Sequence, residues 1–332
     1  MRITTVDGHV AGGAVRLVTG GLPTVTGDSL AARAEALAGA SGSLLQSLAR
    51  EPRGHAGTVV AVLVEPERPE ADAGLVFLRG DGRVDFEGHA LIGATALALE
   101  AMLLQPRRPG RVLVDTMAGP IEASISDPLA AGALRRLAYT GPPVRVLRAN
   151  QPVAIARRTV HADIVWTASG TVAIVDAEAA GAPLVAARAL ELGRVGADVL
   201  RHLAEAVRVA DPESGRRAAI ESAVFIGAAP ESGADVRSAS VASDGVVSRS
   251  PDARATCAIA AVLTAMGMLA PGQRLVHQGL LGATLDATIV SQGDAEGRPL
   301  VEIEVEAETW PTGEHAFCFE PGDPLRDGIE VG

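Results

Sequence analysis

Two runs of this chain, residues 88–104 and 254–269, are apolar on nearly every side of a helix. An amphipathic helix can lie on a surface, but a helix with no polar face must be wrapped by other elements. Two such helices therefore call for two enclosing shells. The length of 332 residues suffices for two domains of ordinary size. Hydrophobic residues make up 48% of the chain and aromatic residues only 2%, so both shells must be filled by Ala, Val, Leu and Ile.

The segments around the two runs repeat one layout. In the first half, Met1-Arg2-Ile3-Thr4-Thr5-Val6, Val15-Arg16-Leu17-Val18-Thr19, the run 58–64 and the run 73–78 read as strands. Residues 29–50 between them have a helical period and an Asp28 or Ser29 cap. In the second half, runs 159–166, 171–175, 221–226 and 236–241 read as strands, with a helix over 183–209. Each half is thus strands, an outer helix, a strand pair and a central helix, a repeat of architecture. The boundary falls near Leu147, after a strand and Pro143.

Composition narrows function. The net charge is −11 with no basic block, which argues against nucleic acid and anionic membranes as partners. All 29 basic residues are arginine. Without lysine there is no Schiff base to pyridoxal phosphate or a carbonyl substrate, and no P-loop lysine. Cys257 and Cys318 form neither a disulfide framework nor a C-x-x-C pair, and Cys257 reads as a small apolar helix residue. No histidine pair has i, i+4 spacing, so no metal is expected. The N-terminus reads as a strand rather than a signal peptide. No uncharged apolar stretch reaches about 18 residues, so no membrane span and a reducing, cytoplasmic setting are expected.

Short motifs carry a resemblance. Asp7-Gly8-His9 with Arg16-Leu17-Val18-Thr19-Gly20-Gly21-Leu22-Pro23, then Glu51-Pro52-Arg53-Gly54-His55-Ala56, Pro69-Glu70-Ala71-Asp72 and Asp115-Thr116-Met117-Ala118-Gly119 follow in order. Ala173-Ile174-Val175-Asp176-Ala177 and Asp323-Pro324-Leu325-Arg326-Asp327-Gly328 complete the set. Together they resemble the proline racemase family. The resemblance implies an α+β, diaminopimelate epimerase-like fold of two pseudo-symmetric domains, each with a β-sheet wrapped around a central helix. It places residues 1–147 plus 313–332 in one domain and 148–312 in the other. The active site would lie where the N-termini of the two central helices face each other, and no cofactor is expected.

In that family a cysteine at each helix start moves a proton at the substrate's α-carbon. Those positions here hold Glu87, within Asp85-Phe86-Glu87-Gly88-His89-Ala90, and Asp252, after Ser248-Arg249-Ser250-Pro251. Ser248 stands where the family's amine-binding aspartate would be, Ala253-Arg254-Ala255-Thr256 replaces a G-T-G-T loop, and Ala168-Ser169-Gly170 replaces G-G-N. The resemblance thus implies Glu87 and Asp252 as catalytic acid and base, with Gly88, His89, Ser248, Ala253, Arg254 and Ala255 around the substrate. The plain alternative is that both acids only cap their helices. His89 is open to three roles: substrate-carboxylate binding, proton relay, or a hydrogen-bonded first-turn histidine. Arg254 is open to two: gripping a substrate carboxylate, or pairing with Asp252 and cancelling it. His9, His55 and His161 are scattered, with His55 tethering its own turn. Trp166 and Trp310 are expected in the core.

A carboxylate, near pKa 4, is a weaker base than a thiolate, near 8.5, so the pair suits a more acidic carbon than an ordinary α-carbon. The arrangement resembles that of the phenazine-biosynthesis isomerase, which pairs a glutamate and an aspartate to shift a double bond. It is also similar to isomerases serving 4-alkylproline natural products. The expected activity is a cofactor-independent proton and double-bond shift in a proline- or pyrroline-carboxylate-like small molecule. Alternatives are a hydroxyproline or proline epimerase or dehydratase using carboxylates, and a non-catalytic ligand-binding relative. The partner expected is a small-molecule substrate, and a homodimer is compatible with it.

Overall fold

The computed structural model describes residues 1–126, 136–155, 158–229, 233–248, 250–295 and 297–329. The chain forms two compact units, Met1–Tyr139 with Glu306–Gly332, and Thr140–Val305.

In the first unit the order is β1 (Arg2–Val10), β2 (Gly13–Gly20), α1 (Leu30–Ala49), β3 (Val59–Val64), β4 (Ala73–Arg79), β5 (Gly82–Val84), α2 (Gly88–Glu100), β6 (Arg111–Thr116), β7 (Gly119–Ile125) and β8 (Arg136–Thr140). Hairpins join β1 to β2, β3 to β4 and β6 to β7 as antiparallel pairs. The joins β2–β3 and β4–β6 are parallel. Parallel neighbours need a crossover, and α1 and α2 supply the two.

The second unit repeats this pattern with β9 (Val144–Ile155), β10 (Arg158–Thr167), β11 (Gly170–Asp176), α3 (Ala177–Ala180), α4 (Ala189–Ala206), β12 (Val209–Ala210), β13 (Arg217–Ala218), β14 (Ile220–Gly227), β15 (Val236–Ala242), α5 (Ala253–Ala265), β16 (Arg274–Gln278), β17 (Thr284–Ala295) and β18 (Arg298–Cys318). Here β10–β11, β14–β15 and β16–β17 are the antiparallel pairs, and β11–β14 and β15–β16 are parallel. The C-terminal part of β18 pairs with β1 of the first unit, where Arg136 of β8 also reaches Glu306. Its N-terminal part pairs with β9 of the second.

The central helices sit as their composition demands. Every residue of α2 from Gly88 to Leu99 is buried, and α2 lies against β1, β2 and β3. Helix α5 lies against β9, β10, β11 and β17. Small residues permit the close approach: a Cβ on Gly93 of α2 would stand 2.9 Å from a Val15 methyl. The outer helices are one-sided instead, α1 burying Leu30, Leu37, Leu44, Leu45 and Leu48, and α4 burying Leu192, Val199, Leu200 and Leu203. Ser29 caps α1, accepting from Ala32 N at 3.1 Å.

Three helices are shorter than the sequence predicts. Helix α2 stops at Glu100 rather than 104, and α5 spans Ala253–Ala265 rather than 254–269. Both end in the same turn, in which Leu103 N reaches Ala98 O and Met268 N reaches Leu263 O. Of the apolar residues beyond, Met102, Leu103, Met266 and Met268 are exposed, while Leu104 is buried outside the helix. The predicted helix over 183–209 is regular only from Ala189 to Ala206, after a single 3-10 turn. Among the described residues no helix is long and apolar enough to cross a membrane.

Candidate active site

Glu87 occupies the N-cap position of α2, yet its side chain caps nothing. It turns instead into the unit, 1% exposed, and ion-pairs through Oε2 with Arg79 at the end of β4. Its Oε1 lies 3.0 Å from Nδ1 of His89, an ion-pair distance but off the line of a hydrogen bond. The helix-cap alternative for Glu87 is therefore not realised, and Arg79 is a partner that sequence reasoning missed. His89 is 7% exposed, and neither ring nitrogen has a hydrogen-bond partner among the described residues. The first-turn hydrogen bond of the plain reading is not made in this arrangement, although Glu87 Oε1 lies only 3.0 Å from Nδ1. Gly13 at the start of β2 makes room for its ring, since a Cβ there would stand 3.1 Å from Cδ2 and 3.3 Å from Nε2.

Asp252 behaves differently. Its Oδ1 accepts from Ala255 N at 2.6 Å, a regular N-cap, and its Oδ2 accepts from the Ser240 hydroxyl at 3.1 Å. The turn before it is pinned from both sides. Ser248 donates its hydroxyl to Ser250 O, and Gly279 lies so close that a Cβ would fall 2.4 Å from Pro251 Cδ. Arg249 lies outside the described residues. Ser248 is therefore a turn-former here, half-buried and bonded to its own loop.

Behind Asp252 stands His277 of β16, wholly buried and not singled out by the sequence. The Thr256 hydroxyl donates to Asp252 O at 2.8 Å, so its oxygen is left to accept from His277 Nδ1 at 2.7 Å. Nε2 then accepts from the Ser238 hydroxyl at 2.6 Å. Burial pushes this imidazole down to about 4, with the Asp252 charge opposing. An unfolded histidine titrates near 6.5. Between the two values the unfolded chain takes up a proton that the folded chain refuses. The contribution of His277 is hence fully present above about pH 6.5 and is lost as pH falls toward about 4, amounting to about 3 kcal/mol. Urea unfolding at pH 7 and pH 4.5 is expected to show a smaller acid loss in His277→Gln than in the parent. Equal losses would remove this account.

Arg254 does not pair with Asp252. Its Nη1 reaches Glu221 Oε2 at 2.7 Å and Ser169 O at 3.3 Å, so its cation is engaged elsewhere. Gly170, at φ 121°, leaves the space for Glu221: a Cβ there would lie 2.3 Å from its carboxylate. The Ala168-Ser169-Gly170 turn thus serves to hold Arg254. Ala253 and Ala255 are buried, as is Gly88, so these three present backbone rather than side chain.

The remaining candidates are structural. Trp166 is buried and donates Nε1–H to Asp211 at 2.8 Å. Trp310 corrects the sequence expectation: it is 46% exposed on the outer face of β18 rather than in the core. His55 bonds Ala56 O within its own turn, and His9 Nδ1 accepts from Gly12 N. Among the described residues no cluster of three His, Cys, Asp or Glu side chains is placed to hold a metal ion. Cys257 is half-buried in α5, and burial, then the Asp252 charge, pushes its thiol up to about 12. A thiol held there is a poor nucleophile. Iodoacetamide is therefore expected to modify exposed Cys318 and leave turnover intact. Inactivation that substrate prevents would contradict this.

The motifs that carried the resemblance turn out to be a scaffold. Asp7 receives Arg16 at both oxygens, with Nη2 at 2.7 Å, and Arg16 also donates to Leu48 O and Arg53 O. Arg53 in turn reaches Asp323 at 2.7 Å and the carbonyl of Leu325. The guanidinium groups of Arg16 and Arg53 stack on Phe317 and Phe319. Asp115 accepts from Glu67 N, Arg68 N and Arg68 Nη1, and Asp72 from Arg107 N and Leu113 N. Arg16 and Arg53 tie β1, β2, the end of α1 and the C-terminal turn together, and Asp72 and Asp115 pin the segments on either side of β6.

Two strand shells of one pattern, each built on a central helix, define an α+β fold of the diaminopimelate epimerase-like kind. A hydroxyproline epimerase from Agrobacterium vitis, solved with bound trans-4-OH-L-proline, superposes with a TM-score of 0.85 at 22% identity, covering 99% of this chain and 95% of that one. A phenazine biosynthesis protein of the PhzF family from Bacillus anthracis superposes with a TM-score of 0.61 at 12% identity, over 96% and 99% of the two chains. In sequence, a trans-3-hydroxy-L-proline dehydratase of Burkholderia cenocepacia is 30% identical over 99% of this chain and 98% of its own length. The proline racemase profile matches residues 5–330. The chain belongs to the proline racemase family, isomerases of the racemase and epimerase class with dehydratase relatives.

Proposed function

We propose that this protein is a cofactor-independent isomerase that moves a proton, and with it a double bond, within a proline- or pyrroline-carboxylate-like molecule. The acid–base groups are those at the two helix starts, the Glu87 cluster in the first unit and Asp252 in the second. The observation that carries the reading is the ion pair of Glu87 with Arg79, at the position where the family's first cysteine would be. A carboxylate, with a reference pKa near 4, is a weaker base than the family's thiolate at about 8.5. Such a group suits a carbon already acidified by conjugation with an imine or a carboxylate better than an ordinary α-carbon. A substrate already in the imine state also has less need of an amine-binding aspartate, where Ser248 stands. The finer setting proposed, supply of 4-alkylproline units for natural products, has the resemblance to isomerases of that kind as its support.

A second reading has support of its own. The relative of 30% identity is named as a dehydratase of trans-3-hydroxy-L-proline. A carboxylate base taking the α-proton with loss of a neighbouring hydroxyl would serve that reaction. Incubation in D₂O with a pyrroline carboxylate, trans-3-hydroxy-L-proline and trans-4-hydroxy-L-proline separates the cases. Deuterium at a vinylogous carbon supports the first reading. Deuterium at Cα, with or without water loss, replaces it with the second. No exchange from any of the three counts against both.

A further inference from the structure

We propose that Nε2 of His89 is the atom that takes and returns the proton at the first helix start, and that Glu87 and Arg79 are its positioning residues. The substrate in this inference rests on the proposed function, whereas the side-chain arrangement does not.

Both oxygens of Glu87 face protein cations or a potential one. Oε2 meets Arg79, and Oε1 lies 3.0 Å from His89 Nδ1. At 1% exposure the carboxylate is enclosed by its partners. A buried carboxylate anchored by an arginine and set against one nitrogen of an imidazole is the arrangement that fixes a histidine's tautomer and ring orientation. The histidine itself is the incomplete member. Buried side-chain nitrogens nearly always have partners, and leaving one without costs about 1–3 kcal/mol. His89 leaves both without a hydrogen bond in a 7% exposed ring. A small rotation completes Nδ1–H to Glu87. Among the described residues Nε2 has no hydrogen-bond partner, and its ring edge packs against Gly13, where a Cβ would stand 3.3 Å from it. A ligand is the group that would complete it.

In the step this assigns, Nε2 of neutral His89 accepts the proton from the acidic carbon. The C–H electron pair enters the conjugated system, and the double bond moves by one allylic position. Imidazolium then returns the proton at the far carbon, which restores neutral His89. Glu87 remains a carboxylate throughout and balances the imidazolium charge.

The test has two arms. Nitrogen-15 spectra of histidine-labelled protein, with His89→Gln to assign the signal, are expected to show the Nδ1–H tautomer for neutral His89. In Glu87→Gln that signal is expected to move toward the Nε2–H form. An Nε2–H tautomer in the parent, or no response to Glu87→Gln, overturns the proposal. In turnover, His89→Ala is expected to lose about 10²- to 10⁴-fold in kcat and to regain part of it with added imidazole. Arg79→Lys is expected to retain more kcat than Arg79→Met, with KM little changed in either. Turnover of His89→Gln within a few-fold of the parent also overturns it. A parent that exchanges none of the three probe substrates, with the tautomer result as expected, would sink the proposed function and leave the His89–Glu87 pairing standing.

Discussion

Glu87→Gln is expected to lower turnover by about 10²- to 10⁴-fold, the range for loss of a group in acid–base catalysis. Glutamine keeps the shape and can still accept from Arg79, but it carries no charge to set against Arg79 or a protonated His89. The effect should appear in kcat more than in KM, since the interaction strengthens as the proton moves. Asp252→Asn should cost less. Asparagine is as good an N-cap as aspartate, and its amide oxygen can keep the Ala255 N–H bond seen at 2.6 Å. Asp252 also meets a neutral hydroxyl, Ser240, where Glu87 meets a guanidinium. Kinetics of both variants, with thermal unfolding to confirm the fold, decide the matter. Turnover of Glu87→Gln within a few-fold of the parent would reduce Glu87 to a counter-ion for Arg79 and remove its part in acid–base work at the first helix start.

The second large effect is on stability. Arg16→Met is expected to destabilise the protein by about 3–5 kcal/mol, because it leaves the buried Asp7 carboxylate without its cation. The loss is broader than one ion pair. Arg16 also donates to Leu48 O at 2.6 Å and Arg53 O at 2.7 Å, at the end of α1 and in the Glu51–Ala56 turn. Adding Asp7→Asn to Arg16→Met should recover part of the loss, since the stranded charge is then gone. Urea unfolding of the two single variants and the double variant measures this. Additive effects of the two changes would show that the pair is not coupled. Turnover per folded molecule is expected to stay near that of the parent, which separates this clasp from the helix starts.

That contrast bears on how the sequence is to be read. The motifs most useful for recognition, around Asp7, Arg16, Arg53, Asp72, Asp115 and Asp323, are joints of the scaffold. The positions that set the chemistry are those where this chain departs from the family's pattern. A likeness built on the first group establishes the family and fold, and it says little about what the second group does.

The sequence by itself determined the enclosure of the two central helices, the outer helices and strands β1–β4, β10, β11, β14 and β15, though not β9 or β16–β18. These follow from local rules. An all-apolar helix needs a shell, alternating runs make strands, and Ser29 and Asp252 cap the helices that start beside them. The points where helices stop were less legible, because Met102 and Met268 are apolar yet exposed, and only the end of the strand shell sets the limit. The partners of the charged groups were not legible at all. Glu87 finds Arg79 across the β5 turn, Arg254 finds Glu221 from 33 residues away, and His277 meets Thr256 and Ser238 on other elements. An ion pair needs its groups within about 4 Å, and which groups come that close depends on strand register and helix placement rather than on spacing along the chain. Hence Arg254, read as a threat to Asp252, went to Glu221, while Glu87 acquired the cation that the sequence had not assigned to it.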